Sequence, residues 1–494
     1  MTNLINRRMS SLAIRGDNLT GPTAHTSAKI GIVGGGLSGA LVAVHLLQQA
    51  TTPLDIYLID RHPYLGRGMA YRTRQDCHLL NVAVGKMSLF ADQPDHFLHW
   101  LEQHSPIHAD RHAFVPRSVY GEYINSVLVN AASCSTVAQL HCCTDNVTAI
   151  KPYQTQLDIL LKSGEVLTVD RAVLAVGNFP ARHPHIQDSS FYQSDRYVGS
   201  VWTDDRLIHL PPTNSVLLIG SGLTAIDQIM LLHQQGHQGQ IHVVSRRGLL
   251  PQAHSMVSAA PYRLPELRSH SVRSLMRLIR QEVDRAVAQG EDWRSVLDAL
   301  RPQTQSLWQA LPLTEQRRFL RHVRPYWEVH RHRIAPTIAQ RLTKLLQTGQ
   351  LQIHAGRIQA LNEDSDGVTV TIRQRRTQDL IQVRSSLVVN CTGTECDYRQ
   401  LESPLIQQLL ATGLACPDPL SLGLAVTEDG AVIDDCGKVS QQLYTLGSPR
   451  KGKLWETTAV PEIRVQAAQM AKILMSELNQ KMMFSSRLGL ENQY

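Results

Sequence analysis

The chain has 494 residues, 43% of them hydrophobic and 18% charged, with a formal net charge of +7. That length suits two or three domains with sizeable cores, and no apolar run approaches the ~20 residues of a membrane span. Aromatics make up only 5% and no Lys/Arg tract interleaves them, so the basic balance reads as surface charge and as arginine kept for phosphate-bearing ligands, with neither nucleic acid nor membrane as a partner. The 8 cysteines form no CxxC pair and no zinc spacing, and no secretory segment opens the chain; a reduced, cytoplasmic protein is the expectation.

Residues 1–28 are Ser/Thr/Asn-rich and carry Arg7, Arg8 and Arg15. They read as a disordered leader, within which Met9 offers an alternative start. Residues 29–60 then predict strand, glycine turn, helix, strand. Gly34, Gly36 and Gly39 fit GxGxxG. One glycine makes the tight turn, one lets the backbone approach a pyrophosphate, and one lets helix and strand pack closely. The helix N-terminus supplies N–H groups and partial positive charge. Asp60 ends the second strand 21 residues after Gly39, where a carboxylate accepts hydrogen bonds from ribose hydroxyls.

Residues 61–130 read as loop-rich and contain GRGMAY, with Gly68, then HLLNV and FVPRSVYGEYI. Alternating segments from 147 to 178 predict a hairpin or meander that feeds back into the main sheet. Pro-rich HLPPTN (209–214) reads as a linker. A second strand–turn–helix–strand unit spans Ser215 to Ser245, with Gly220, Gly222 and Ala225 in GxGxxA and Thr224 in the first helical turn. Where the first unit has Asp60, this one has Ser245, Arg246 and Arg247. A carboxylate would repel the 2′-phosphate of NADP, whereas arginine forms charge-assisted pairs with it, so NADPH is favoured over NADH. The competing reading makes Arg246 and Arg247 solvated loop charges. Residues 260–350 show helical spacing rich in arginine and read as a lid or packing unit, or else as a partner surface. His330 and His332 lie two apart without a Cys or a cluster of acids nearby, so no metal is expected. Strands resume over 351–393, and QLYTLG precedes a last helix from about Val460 to Leu478.

The layout resembles the two-dinucleotide flavoproteins in which an NADP domain is inserted in an FAD domain, the plan of flavin-containing and N-hydroxylating monooxygenases. AVLAVGN (172–178) and VVNCTG (388–393) are similar to the strand-to-turn connections of that class, which implies that Gly177 and Gly393 lie at the cofactors. LYTLGSPRKGKLWETTAVPEIRVQ is similar to its last FAD segment, implying flavin-side roles for Gly447, Trp455, Glu456 and Thr457. Ser448-Pro449-Arg450 departs from the Asp most relatives carry there. A nearer resemblance is to a bacterial group of FAD/NAD(P)-binding proteins, on GRGMAY, HLLNV, VPRSVYGEY and LWETTAVPEIRVQ. By position, the N-hydroxylating enzymes imply that Asn81 and Lys86 sit near flavin and substrate as catalytic candidates, with Asn81 and Gly68 also at the cofactor.

The resemblance therefore implies an α/β fold of two Rossmann-like dinucleotide-binding domains, the NADP domain inserted in the FAD domain, with a helical elaboration. The expected division is a leader 1–28, FAD domain 29–210, NADP domain 211–385 with its helical block at about 260–350, FAD domain resumed over 386–480, and a tail 481–494. FAD and NADPH imply hydride transfer between them, with the protein supplying position and electrostatics. No dithiol motif is available to receive the electrons. The leading expectation is a monooxygenase that uses oxygen and a flavin hydroperoxide on a small molecule. A reductase with an organic or protein acceptor is the alternative, and a redox-sensing or scaffold protein the second.

Overall fold

A computed structural model describes residues 27–255 and 261–491; most of the expected leader, including Met9, lies outside the described residues. The chain opens with β1 (Ala28–Val33), a glycine turn, the helix Leu37–Gln49 and β2 (Leu54–Asp60). β3 (Ala138–Thr144) comes next. β4 (Val147–Tyr153), β5 (Gln156–Leu161) and β6 (Val166–Val169) form the expected antiparallel meander, which returns to the main sheet as β7 (Arg171–Leu174). β1 pairs in parallel with both β2 and β7, and β2 with β3. The helix Leu37–Gln49 is apolar on nearly every side because it is covered on every side. It lies against the sheet, the helix Arg117–Cys134 and the C-terminal helix Val460–Glu491.

The helix Arg117–Cys134 corrects the expectation of a loop-rich stretch over 61–130. Its buried residues Tyr120, Tyr123, Ile124, Val127, Leu128 and Ala131 fall at helical spacing. Gly121 and the β-branched neighbours disguise that spacing. Gly121 is there for clearance: a Cβ on it would lie 2.6 Å from the Tyr71 carbonyl oxygen.

After β7 the chain crosses into a second sheet. β8 (Tyr197–Val198), β9 (Val216–Ile219), β10 (Ile241–Ser245), β11 (Leu351–Asp364), β12 (Gly367–Gln374), β13 (Leu380–Ser385) and β14 (Leu387–Asn390) form it in the order β13-β12-β11-β10-β9-β14-β8. The chain then returns to the first sheet as β15 (Ala431–Ile433) and β16 (Val439–Thr445), giving the order β15-β16-β7-β1-β2-β3. The second domain is thus inserted in the first. β8 and β14 move its edges outward from the expected 211 and 385, because β14 pairs in parallel with both β9 and β8. The two crossings run side by side, joined by a bridge between Phe179 and Glu395.

The arginine-rich block fills the connection from β10 to β11. Its last helix, Pro336–Gln347, packs Ile338, Leu342 and Leu345 into the second sheet's core. The earlier helices instead share a core with the first domain: Leu300, Trp308 and Leu311 pack with Leu422 and Trp455. Arg301 grips Glu462 with two hydrogen bonds of 2.8 Å, and Trp308 Nε1 donates to the Gly452 carbonyl at 2.8 Å. A segment inserted in one domain is therefore fastened to the other. The C-terminal helix continues to Glu491, past the expected end near Leu478. Among the described residues no helix is long and apolar enough to cross a membrane.

Candidate functional site: two glycine turns and the cleft between them

In the first turn Gly34 has φ +110°, and a Cβ there would stand 2.3 Å from the Ala175 carbonyl oxygen at the end of β7. Gly39 meets the same turn from the helix: its Cβ would lie 1.9 Å from the Gly34 oxygen. No side chain occupies that space without separating helix from strand. Gly36 begins the helix with no side-chain cap, and no acid stands in the first turn, so its N–H groups are left for an anion. GRGMAY closes over them. Gly66 N donates to Gly35 O at 2.7 Å, and Gly68 approaches Gly36 so closely that a Cβ on Gly68 would lie 3.2 Å from its Cα. A cradle of bare backbone at an uncapped helix end fits a pyrophosphate. Asp60 accepts N–H groups from Gly35 (2.7 Å) and His62 (2.9 Å). The carboxylate expected at a ribose thus also braces the turn.

Gly177 (φ +67°) ends β7's extension, and the next residue, Asn178, accepts a 2.6 Å hydrogen bond from Ser448 Oγ. Gly447 (φ +75°) lies beside Ser38, the second residue of the first helix. The connection and the last segment therefore converge on the first turn. Thr457 is buried and holds that arrangement from behind, donating to the Gly447 carbonyl (3.1 Å) and accepting from Gln466 Nε2 (2.8 Å). Trp455 and Glu456, expected on the flavin side, have the helical block as their partner in the structure. Trp455 (φ +62°) stacks on Trp308 with centroids 5.1 Å apart, and Glu456 pairs with Arg331 at 3.0 Å and accepts from Trp327 Nε1 at 3.2 Å. They attach the helical block.

The second turn repeats the first. Gly220 has φ +107°, with a Cβ position 2.4 Å from the Cys391 carbonyl oxygen at the end of β14. Gly222 starts the helix Leu223–Gln234 uncapped, and a Cβ on it would meet nothing within 4 Å. It faces a cleft of about 990 Å³ lined by Thr224, Ser245, Arg246, Arg247, His332, Gly393 and Lys451. Ser245 Oγ accepts from Gly248 N at 3.0 Å and lies 2.9 Å from Ser221 Oγ; it closes its loop. Arg247 donates to Tyr326 OH at 3.1 Å and lies over that ring. Arg246 is exposed at the cleft. An uncapped helix end with two arginines beyond the next strand fits a dinucleotide bearing a 2′-phosphate.

Between the turns lies a pocket of about 150 Å³ with Met69, Arg117 and Asn178 on one side and Thr224, Asn390 and Gly393 on the other. Arg117 crosses the gap. Its guanidinium pairs with Asp227 of the second turn's helix at 2.8 and 3.1 Å while Nε donates to the Leu79 carbonyl at 3.1 Å. The side chains are 13% and 10% exposed, so this is a buried tie between the domains. Nothing along the chain links VPRSVYGEY to GLTAID. The one available signal was an acid in an otherwise apolar helix, which needs a partner when buried.

Asn81 and Lys86 come after GRGMAY along the chain. Lys86 is exposed on a short 3-10 turn. The Asn81 carbonyl accepts from His254 Nε2 at 2.9 Å, which makes Nε2 the protonated nitrogen, and burial pushes His254 down to about 4. His254, absent from the sequence candidates, joins Asn81 to the second domain. His332 lines the cleft with its side chain exposed, while His330 is partly buried and donates to the Tyr326 carbonyl at 2.8 Å. Burial also lowers the Lys451 ammonium. All eight cysteines are free.

Two glycine turns of the same form, one carried by a domain inserted within the other's, define the fold of two-dinucleotide flavoproteins. Residues 31–179 match the family described as FAD-NAD(P)-binding. Among solved structures the chain is similar to ornithine hydroxylase from Pseudomonas aeruginosa, at 16% identity over 92% of this chain and 99% of that one, with a TM-score of 0.62. It is similar also to the ornithine N-hydroxylase of Kutzneria sp. 744 in complex with reduced FAD, NADP+ and L-ornithine (14% identity, 92% and 100% covered, TM-score 0.61). L-lysine 6-monooxygenase from Pseudomonas syringae gives 16% identity, 92% and 99% coverage and a TM-score of 0.60. No curated protein matches the chain.

Proposed function

We propose that this protein is an NADPH-dependent FAD enzyme, a monooxygenase that acts on a small molecule. The observation that carries the reading is the 150 Å³ pocket where the segments after both turns meet, Asn178 from one and Thr224 and Gly393 from the other. Two dinucleotides laid from the two turns would bring their reactive rings together there. The chemistry such a pair supplies is hydride transfer followed by reduction of oxygen. The fold shared with ornithine and lysine hydroxylases supports oxygen as the acceptor. The substrate is a soft nucleophile such as an amine or a sulfur compound.

The protein's own groups position this chemistry. Gly36 and Gly222 present helix N–H groups to the two pyrophosphates. Arg246 and Arg247 select the phosphorylated ribose. The Arg117–Asp227 tie keeps the two turns at one separation, which matters because misplacement by about 1 Å costs on the order of 100-fold in rate. Asn81, held from behind by His254, and Lys86 are the substrate-side candidates, and neutral His254 adds no second charge beside Lys86.

The test uses the FAD-bound protein. NADPH should bleach the flavin without oxygen, and NADPH oxidation in air with a panel of amines and thioethers should yield an oxygenated product. Bleaching followed by turnover only with a quinone or dye would establish the reductase instead. A flavin that NADPH does not bleach would sink the enzyme reading.

A further inference from the structure

A groove of about 630 Å³ adjoins the second turn, and six arginines line it with no acid among them: Arg246, Arg247, Arg321, Arg357, Arg373 and Arg375. They come from the end of β10, the helix Leu313–His322, β11, β12 and the turn after it. Among the described residues none of the six is in an ion pair. Arg357 stands directly opposite Arg373 in the β11–β12 ladder, an arrangement in which like charges destabilise a sheet. On the same antiparallel sheet Arg384, by contrast, binds an acid, Asp364. An unneutralised cluster built from four elements around a concavity is suited to a ligand that brings the missing charge.

The NADPH 2′-phosphate does not account for it. One phosphate is satisfied by one or two arginine forks, and Arg246 and Arg247 stand where that phosphate falls. Arg321, Arg357, Arg373 and Arg375 remain. The groove has the size of a small-ligand site and is concave, unlike the extended stripe that tracks a nucleic acid. We infer that this groove binds a second, multiply charged small ligand, a di- or triphosphate group, beside the bound NADPH. The inference rests on the NADPH reading only for the roles of Arg246 and Arg247. Because those two line both the groove and the cleft, the ligand and the 2′-phosphate share a positive field, and each weakens the other's binding without displacing it.

Titration calorimetry on the full FAD-bound chain tests this with inorganic tripolyphosphate and, separately, ATP, each with and without saturating NADP+ at physiological salt. One tripolyphosphate should bind per chain, and binding should persist with NADP+ present. Arg357→Gln with Arg373→Gln should weaken tripolyphosphate by about tenfold or more while leaving NADP+ within about threefold. That variant removes a repulsive pair, so retained FAD absorbance and an undiminished Tm will show it folded. ATP binding as tightly as tripolyphosphate assigns recognition to the phosphate chain; ATP binding tighter assigns a nucleotide. Complete displacement by NADP+, equal weakening of both ligands in the variant, or no binding would each overturn the inference. Tripolyphosphate binding to a chain that does not bind NADP+ would sink the NADPH reading and leave the groove standing.

Discussion

The two glycine turns are near copies in backbone and differ in the side chains set around it. Gly34 and Gly220 have φ of +110° and +107°, and each presses on the carbonyl of the neighbouring strand's end, Ala175 in one sheet and Cys391 in the other. Gly36 and Gly222 begin their helices in the same extended conformation, with ψ of −167° and −168°. They part at the third position, where Gly39 has no room for a Cβ and Ala225 carries one, fully buried. They part again beyond the second strand, at Asp60 and at Arg246–Arg247. The backbone common to both is what a pyrophosphate needs. The side chains that differ set how tightly helix meets strand and, on the proposed function, which ribose is accepted.

The largest expected effect strikes the first turn alone. Gly39→Ala would place a Cβ 1.9 Å from the Gly34 oxygen and should abolish FAD retention, read as loss of flavin absorbance in purified protein. Retention of FAD at full occupancy would mean that helix and strand can separate and that the close packing is dispensable. Next comes the tie between the halves. Arg117→Leu strands the buried Asp227 carboxylate and should cost about 3–5 kcal/mol by denaturant melting, whereas Arg117→Leu with Asp227→Leu should recover most of that loss. If the single and double variants melt alike, the pair holds nothing together.

Acid should then separate the halves. Burial pushes His242 and His254, both in the inserted domain, down to about 4. Their unfolded forms protonate near 6.5, so the unfolded state takes up protons first as pH falls. Stability of this domain is therefore full above about 6.5 and declines toward 4. Differential scanning of FAD-bound protein at pH 7.5 and 5 should show the transition shift downward, with NADP+ protection lost before flavin is released. A transition that stays in place would count against burial as the cause. A smaller effect is expected at the phosphate. Arg246→Ala with Arg247→Ala should raise Kd for NADP+ by about 10- to 100-fold and leave NAD+ nearly unchanged, since a charge-assisted contact contributes about 1.5–3 kcal/mol and the two arginines would share one phosphate; equal losses for both nucleotides would deny the arginines a 2′-phosphate role. Smallest is Ala225→Gly, which makes the second turn resemble the first. It should cost only about 1 kcal/mol, the helix penalty of glycine, measured as a small drop in denaturant midpoint with NADP+ affinity intact.

The turns and their strands were legible because a glycine turn between a buried strand and a helix is a local event, written within about 30 residues. So was the meander before β7, from alternation. The helix Arg117–Cys134 was not, because Gly121 answers to Tyr71, a contact outside the helix. Trp455 and Glu456 resembled a flavin segment by neighbourhood in the chain, yet their partners are Trp308 and Arg331 in a block more than a hundred residues earlier.

Spacing along the chain was enough for two glycine turns of dinucleotide-binding form and for the contrast between Asp60 and Arg246–Arg247, because each of these is set by residues close together or by type alone; the insertion of one domain in the other was implied only by resemblance. Tertiary structure decided that the earlier helices of the arginine-rich block pack on the first domain, that Arg117 finds Asp227, that His254 reaches Asn81, and that Arg321, Arg357, Arg373 and Arg375 gather beside the second turn. Those depend on which surfaces meet when distant segments bury their apolar faces, and no local pattern carries that choice.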